Sequence, residues 1–122
     1  MAHRIVGYHH VQLAMPSGEE ARAEAFYAGV LGMERVEKPP ELAVRGGCWF
    51  RGDGVDLHLG VEEEFRPARK AHPALLVEGL DELQRSLEAG GVEIVKDAQL
   101  EGHRRFYVQD PFGNRLKFIG EA

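Results

Sequence analysis

Residues 110–120 have the sequence DPFGNRLKFIG, in which a tight turn leads directly into a strand. Asp, Pro, Gly and Asn favour tight turns because of their backbone preferences and short polar side chains. Beyond the turn, the alternation of side chains along a strand places Leu116 and Phe118 on one face and Arg115 and Lys117 on the other. The segment therefore predicts a hairpin whose final strand has one buried face and one face that carries cations.

A second segment, CWFRGDGVDLHLG at residues 48–60, repeats the pattern of an aromatic strand, a glycine turn and an alternating strand. When Gly54 is aligned with Gly113, His58 falls on the position of Lys117. Alignment of the first strands of the two halves places His10 near His72. Self-similarity of this kind indicates an internal repeat.

A predicted strand and helix precede each hairpin. The first strand is expected at residues 5–16, and the helix at 17–32 begins with a capping-box spacing from Ser17 to Glu20. The second helix is expected at residues 80–91, where leucines recur at helical spacing. The predicted element order is thus β-α-β-β-β, and it occurs twice along the chain.

This order predicts an α+β fold of two tandem βαβββ modules that form a curved mixed sheet around a central cavity. We expect a single domain over residues 1–122, with module one at about 4–62 and module two at about 71–120.

Strand alternation also assigns side chains to the cavity. In the first strand His10 is expected to face the cavity, whereas His9 is expected to face the helix and to be structural. In the fourth strand His58 faces the cavity. Both faces of the fifth strand are apolar, so alternation does not place His72, and its equivalence to His10 assigns it to the cavity. Lys117 is then expected to face these three cavity histidines.

Composition excludes several classes of protein. A net charge of −5 and a pI near 5.7 argue against non-specific nucleic-acid binding, which needs a basic face. No apolar run is long enough to span a bilayer, and the N-terminus lacks a signal-peptide core. The single cysteine, Cys48, excludes an internal disulfide and is expected to be buried and inert. We expect a cytoplasmic protein without nucleic-acid or membrane partners.

Four stretches carry a resemblance to a known family: YHHVQLAMP at 8–16, EAFYAGVLGM at 24–33, HPALLV at 72–77 and FYVQDPFGNRLKFI at 106–119. Through them the whole chain resembles the glyoxalase, bleomycin-resistance and extradiol-dioxygenase superfamily, which has the vicinal oxygen chelate fold. The resemblance implies a homodimer, in which modules are sometimes exchanged so that the site forms between chains.

The resemblance also implies a divalent metal held from the first and last strands of each module, which gives His10, His58 and His72 as ligands. Three imidazoles suit Zn, Ni, Co, Mn or Fe. The fourth position, Lys117, is usually glutamate in relatives that bind metal, and a protonated lysine repels a dication. The alternative is that the histidines are polar cavity residues and no metal binds.

Lys117 has three interpretations. It could replace the metal and hold an anionic substrate, swing away from a three-histidine site, or act as an acid, base or Schiff-base amine. Tyr107 would be a second catalytic candidate if its hydroxyl faces the cavity. The candidates for substrate binding are Gln12, Trp49, Arg66, Arg69 and Arg115. A solvated connector and ordinary packing are the alternatives for the two connector arginines and for the tryptophan.

Two functions follow from these residues. The first is a glyoxalase-like enzyme (a lyase, isomerase or dioxygenase) whose metal polarises an oxygen-bearing, anionic small molecule. The second is a metal-free protein that sequesters a small molecule, as bleomycin-resistance members do. The cavity histidines favour the first function, and Lys117 favours the second.

Overall fold

The computed structural model describes residues 2–97 and 103–121. Within these ranges two successive groups of elements follow the predicted order. The first group consists of β1 (Val11–Met15), α1 (Glu20–Glu24) continued by a π-helix (Ala25–Val30), β2 (Glu34–Val36), α2 (Pro40–Ala43), β3 (Cys48–Gly52) and β4 (Val55–Val61). The second group consists of β5 (Ala74–Leu76), α3 (Leu80–Ala89), β6 (Val95–Lys96), β7 (His103–Gln109) and β8 (Arg115–Glu121).

Each group forms its own four-stranded mixed sheet, in the orders β1-β4-β3-β2 and β5-β8-β7-β6. In each sheet one pair of neighbours is parallel, β1 with β4 and β5 with β8. The other neighbouring strands are antiparallel. This arrangement confirms the predicted α+β fold class.

The strand registers confirm the repeat at the level of single residues. Gln12 lies opposite His58 in the first sheet, and Ala74 lies opposite Lys117 in the second. His58 and Lys117 therefore occupy equivalent positions, as the sequence alignment predicted. The antiparallel neighbours of these two residues are also equivalent, and they are Trp49 and Tyr107.

A single hydrophobic core joins the two modules, and its members confirm the predicted buried faces. Leu57 and Leu59 of β4 are almost fully buried, as are Leu116 and Phe118 of β8. Full burial of such a side chain contributes about 1.5–3 kcal/mol. The other core residues belong to the helices, to β1, β3 and β7, and to the turn before β8: Leu13, Met15, Ala23, Phe26, Tyr27, Cys48, Phe50, Leu80, Leu87, Phe106, Val108 and Phe112.

The turn at 110–114 is more than a local turn, because its polar side chains bind the first module. The Tyr27 hydroxyl donates to Asp110 Oδ2 at 2.7 Å. Asn114 donates from Nδ2 to the carbonyl of Ala14 at 2.9 Å, and its Oδ1 accepts from the backbone N–H of Ala68 at 2.9 Å. A buried polar network therefore links β1, the π-helix, the connector between modules and the β7–β8 turn.

The beginnings of the first strand and first helix differ from prediction. β1 begins at Val11, not at residue 5. In the β1–β4 register the first residue of β4, Val55, lies opposite position 9, so the residues before position 9 have no partner strand. In the described structure α1 has Glu19 at its N-cap and no side-chain cap, so the predicted role of Ser17 is wrong. The Glu20 carboxylate instead accepts the N–H of Gly47 at 2.8 Å. A tertiary contact thus replaces the capping box.

Two further differences are small. The predicted loop before β3 contains the short helix α2, and the predicted strand at 92–97 is reduced to β6. Among the described residues, no helix combines the length and apolar character needed to cross a membrane.

Candidate functional site

Three aromatic side chains stack on the open face of the first sheet. The ring of His58 lies 4.2 Å from that of His10, and the two planes are 17° apart. The Trp49 indole lies 4.1 Å from the His58 ring at an interplanar angle of 8°. Since β4 lies between β1 and β3, His58 is held between the other two rings.

This packing has an electrostatic consequence for His58, which is only 9% exposed. Burial, followed by the proximity of His10, lowers the pKa of His58 below its ordinary value. The imidazole is therefore neutral at neutral pH, which is the form that offers a lone pair to a metal or accepts a proton.

His9 also belongs to this face, which corrects the prediction that it packs under the helix. It is exposed, and its Nδ1 lies 3.0 Å from Nδ1 of His10, so one ring donates a hydrogen bond and the other accepts it. The prediction was wrong because the strand begins only at Val11, and side-chain alternation does not extend to the residues before it.

A cavity of about 660 Å³ opens beside these rings. Its lining includes Gln12 and Trp49, two of the candidates for substrate binding, and cations that the sequence analysis did not name, among them Lys38 and Arg45. Both cations lie in the segment between β2 and β3, where no periodic pattern indicates which way a side chain points. All of the lining residues belong to the first module: His9, His10, Gln12, Val36, Lys38, Leu42, Arg45, Gly46, Trp49, Arg51, Asp56, His58, Leu59, Gly60 and Val61.

The open face of the second sheet carries the equivalent group, built around Tyr107. The His72 ring meets Tyr107 edge-on, with centroids 5.4 Å apart. Lys117 Nζ lies 4.8 Å from the centre of the Tyr107 ring, and the guanidinium carbon of Arg115 lies 4.5 Å from it. Cation–π contacts of this kind contribute about 0.5–1 kcal/mol each at exposed sites.

The predicted ligands thus form two groups. His10 and His58 are in contact on the first sheet, and His72 lies with Lys117 and Tyr107 on the second. Residues 2–97 and 103–121 contain no group of three or more His, Cys, Asp or Glu side chains that could hold a metal ion. The described part of one chain therefore does not provide three such ligands at one place, and the metal assignment stays a prediction.

The two connector arginines lie outside the first of these groups. Arg66 and Arg69 are exposed, and neither is among the residues that line the cavity beside His10 and His58. The backbone N–H of Arg66 donates to Glu62 Oε1 at 3.2 Å. Their predicted role in substrate binding therefore stays a prediction.

Comparison with known proteins gives a consistent family. Residues 7–118 match the family model described as Glyoxalase/Bleomycin resistance protein/Dioxygenase superfamily. A putative glyoxalase family protein from Bacillus anthracis is 46% identical, with a TM-score of 0.95 and coverage of 100% of both chains. No curated protein matches the sequence.

More distant structures share the fold. The fosfomycin resistance protein FosX from Listeria monocytogenes, solved with Mn(II) and 1S,2S-dihydroxypropylphosphonic acid, is 17% identical with a TM-score of 0.79. The alignment covers 98% of this chain and 95% of that one. An integron cassette protein from the Halifax Harbour sewage outfall is 23% identical with a TM-score of 0.77, over 95% of this chain and 99% of that one.

Proposed function

The chain belongs to the glyoxalase/bleomycin resistance protein/dioxygenase superfamily, and on this basis we propose that it is an enzyme acting on a small, oxygen-bearing anion at a site completed by a second copy of the chain. The observation that carries the proposal is the pair of equivalent open faces. One presents His10 and His58, and the other presents His72, Tyr107 and Lys117. Within residues 2–97 and 103–121, neither face gathers three His, Cys, Asp or Glu side chains that could hold a metal ion.

Exposed apolar side chains support the involvement of a second copy. Ile5, Val6 and Tyr8 precede β1 and are 94%, 84% and 94% exposed, and Leu76 of β5 is 82% exposed. β1 and β5 are edge strands of their sheets. Because unpaired edges with apolar side chains favour association, we place the dimer contact along these edges. The contact would bring the first face of one copy to the second face of the other.

In this dimer His10 and His58 of one copy, together with His72 of the other, would hold a divalent metal. The Mn(II) bound by FosX, which shares this fold, supports a metal in such a site. A bound metal polarises a substrate oxygen and stabilises developing negative charge. Tyr107 and Lys117 would move protons at the substrate, while Gln12 and Arg115 would orient it.

Metal titration tests this proposal. Zn, Ni, Co, Mn and Fe(II) are titrated by calorimetry into the wild type, His58→Ala and His72→Ala, with His103→Ala as the control because His103 is an exposed histidine of β7. We expect binding by the wild type and the control, and loss of binding in the other two variants. A wild type that binds none of these metals would overturn the metal assignment.

Mixing the two deficient variants tests whether the site is shared. In a mixed dimer, the His58→Ala copy provides an intact His72 and the His72→Ala copy provides an intact His58, so one complete site is restored. We expect metal binding to return on mixing after reversible dissociation. If each site lay within one chain, the mixture would bind no more metal than its components.

A second candidate function is metal-free binding of an anionic small molecule. It is favoured by Lys117 and Arg115, whose charged groups lie 4.8 Å and 4.5 Å from the centre of the Tyr107 ring. The Lys117→Glu variant separates the candidates, because it removes the cation and supplies a carboxylate ligand. Metal binding by this variant but not by the wild type would favour the binding protein.

A further inference from the structure

The cavity in the first module has a charge opposite to that of the chain as a whole. The chain carries a net charge of −5. The cavity, in contrast, is lined by Lys38, Arg45 and Arg51 and by one carboxylate, Asp56. Arg51 Nε donates to Asp56 Oδ1 at 2.8 Å, so that carboxylate is already paired. Lys38 and Arg45 therefore provide the uncompensated charge of the lining, which attracts anions into the cavity.

The backbone segment that carries these cations is anchored beside the stacked rings. Lys38 donates from Nζ to the carbonyl of Gly46, and the same ammonium lies 5.8 Å from the Trp49 ring. Gly47 follows with φ +81°, and a Cβ at this position would lie 2.2 Å from the carbonyl oxygen of Leu59. Gly47 is thus packed against β4, and the Lys38 ammonium is held in place before a ligand arrives.

The rest of the lining restricts the shape of the ligand. Trp49 is stacked against His58, and the Lys38 ammonium lies 5.8 Å from the centre of the same indole. The indole face that His58 covers is therefore closed to an aromatic ligand. Leu42 is among the aliphatic side chains that form the remaining wall. These features favour a short aliphatic chain over an aromatic ring.

We propose that Lys38 and Arg45 form an anion subsite that binds the terminal oxyanion, a carboxylate or phosphoryl group, of a short aliphatic ligand. The Arg45 guanidinium is suited to two oxygens of such a group, and Lys38 adds a point charge. The subsite deepens the proposed function, since it lies in the cavity beside His10 and His58 and determines which end of the substrate enters there.

The single tryptophan of the chain provides the assay, because Trp49 lines the cavity and contacts Lys38. Inorganic phosphate and butyrate are titrated at constant ionic strength while Trp49 emission is followed. We expect saturable binding by the wild type. Because it removes both uncompensated cations from the cavity lining, the Lys38→Gln/Arg45→Gln double variant should bind phosphate at least about tenfold more weakly.

Two controls keep the test decisive. Arg85→Gln removes an exposed cation of α3 outside the cavity and should bind phosphate like the wild type. Lys38→Arg keeps the charge and a donor for the Gly46 carbonyl, so it should retain affinity within about threefold of the wild type. Circular dichroism checks that each variant is folded. Equal phosphate affinity of the folded double variant and the wild type, or no saturable binding by the wild type, would overturn the subsite.

The experiments can refute the anion subsite and the metal assignment independently of each other. If the double variant loses phosphate but still binds metal through the histidines, both proposals stand and the two sets of residues have distinct roles. If no metal binds but phosphate binding depends on Lys38 and Arg45, the metal assignment fails and the subsite stands.

Discussion

Removal of the Tyr27 hydroxyl tests the polar network that joins the two modules. Tyr27 is fully buried, and its hydroxyl donates to Asp110 Oδ2 at 2.7 Å across a separation of 83 residues. Tyr27→Phe deletes this one oxygen and keeps the ring in the core, so it creates almost no cavity. The variant therefore isolates the free energy of one hydrogen bond between the modules.

The magnitude follows from the partners that remain. Asp110 still accepts at Oδ1 from the N–H groups of Phe112 and Asn114, each at 2.9 Å, and at Oδ2 from Asn114 Nδ2 at 3.0 Å. Because the carboxylate stays satisfied, the loss approaches that of one hydrogen bond to a charged group, about 2 kcal/mol. For a chain of this length the unfolding midpoint should fall by about 8 °C.

Urea unfolding followed by far-ultraviolet circular dichroism measures this difference. The matched control is Tyr8→Phe, since Tyr8 is 94% exposed and its hydroxyl should contribute less than about 0.5 kcal/mol. If Tyr27→Phe destabilised the protein no more than Tyr8→Phe does, the hydroxyl would make no net contribution and the network would not hold the modules together.

The same pair of proteins has a defined pH dependence. Burial, followed by the negative charge of Asp110, raises the pKa of Tyr27 well above its ordinary value. The folded state therefore keeps this proton at a pH where the unfolded chain loses it. The stability that the Tyr27 hydroxyl contributes is fully present below the unfolded pKa of about 10. As pH rises above that value, the wild type should lose its stability advantage over Tyr27→Phe. An advantage that grew above pH 10 would contradict this sign.

Two other predictions concern the first module. Gly47→Ala should destabilise the protein by about 3 kcal/mol or more, because Gly47 has φ +81° and an added Cβ would lie 2.2 Å from the Leu59 carbonyl oxygen. Gly54→Ala, at φ +75° with open space around it, should cost only about 1 kcal/mol in the same urea unfolding assay, and equal losses would refute the steric argument. Cys48 is 1% exposed, and burial raises the pKa of its thiol to about 11. It should resist an aromatic disulfide reagent at pH 8 until urea unfolds the chain, whereas fast labelling of the folded protein would show that the thiol is accessible.

Local patterns in the sequence were sufficient for the repeat and for the faces of its strands. Alternation placed Leu57 and Leu59 in the core, and the alignment of two glycine turns made His58 equivalent to Lys117, which the strand registers confirm. These features are encoded locally because period-two alternation and turn conformation depend on residues a few positions apart.

The sequence also indicated the burial of Cys48, from the apolar residues around it. It did not indicate that His9 would turn towards His10, since that depends on where β4 stops providing a partner for the preceding strand. Lys38 and Arg45 were missed for a related reason. The segment that carries them is positioned by the Glu20 carboxylate and by close packing at Gly47, both of which are tertiary contacts.

The sequence by itself therefore indicated the fold, the family and four residues of the open faces, namely His10, His58, His72 and Lys117. Only the tertiary structure decided which of them meet: His10 contacts His58, while His72 joins Tyr107 and Lys117 on the other sheet. Alternation shows which face of a strand a side chain occupies, but the packing of two sheets is governed by contacts such as the one between Tyr27 and Asp110. Such contacts join residues far apart in the chain, and no local pattern encodes their geometry.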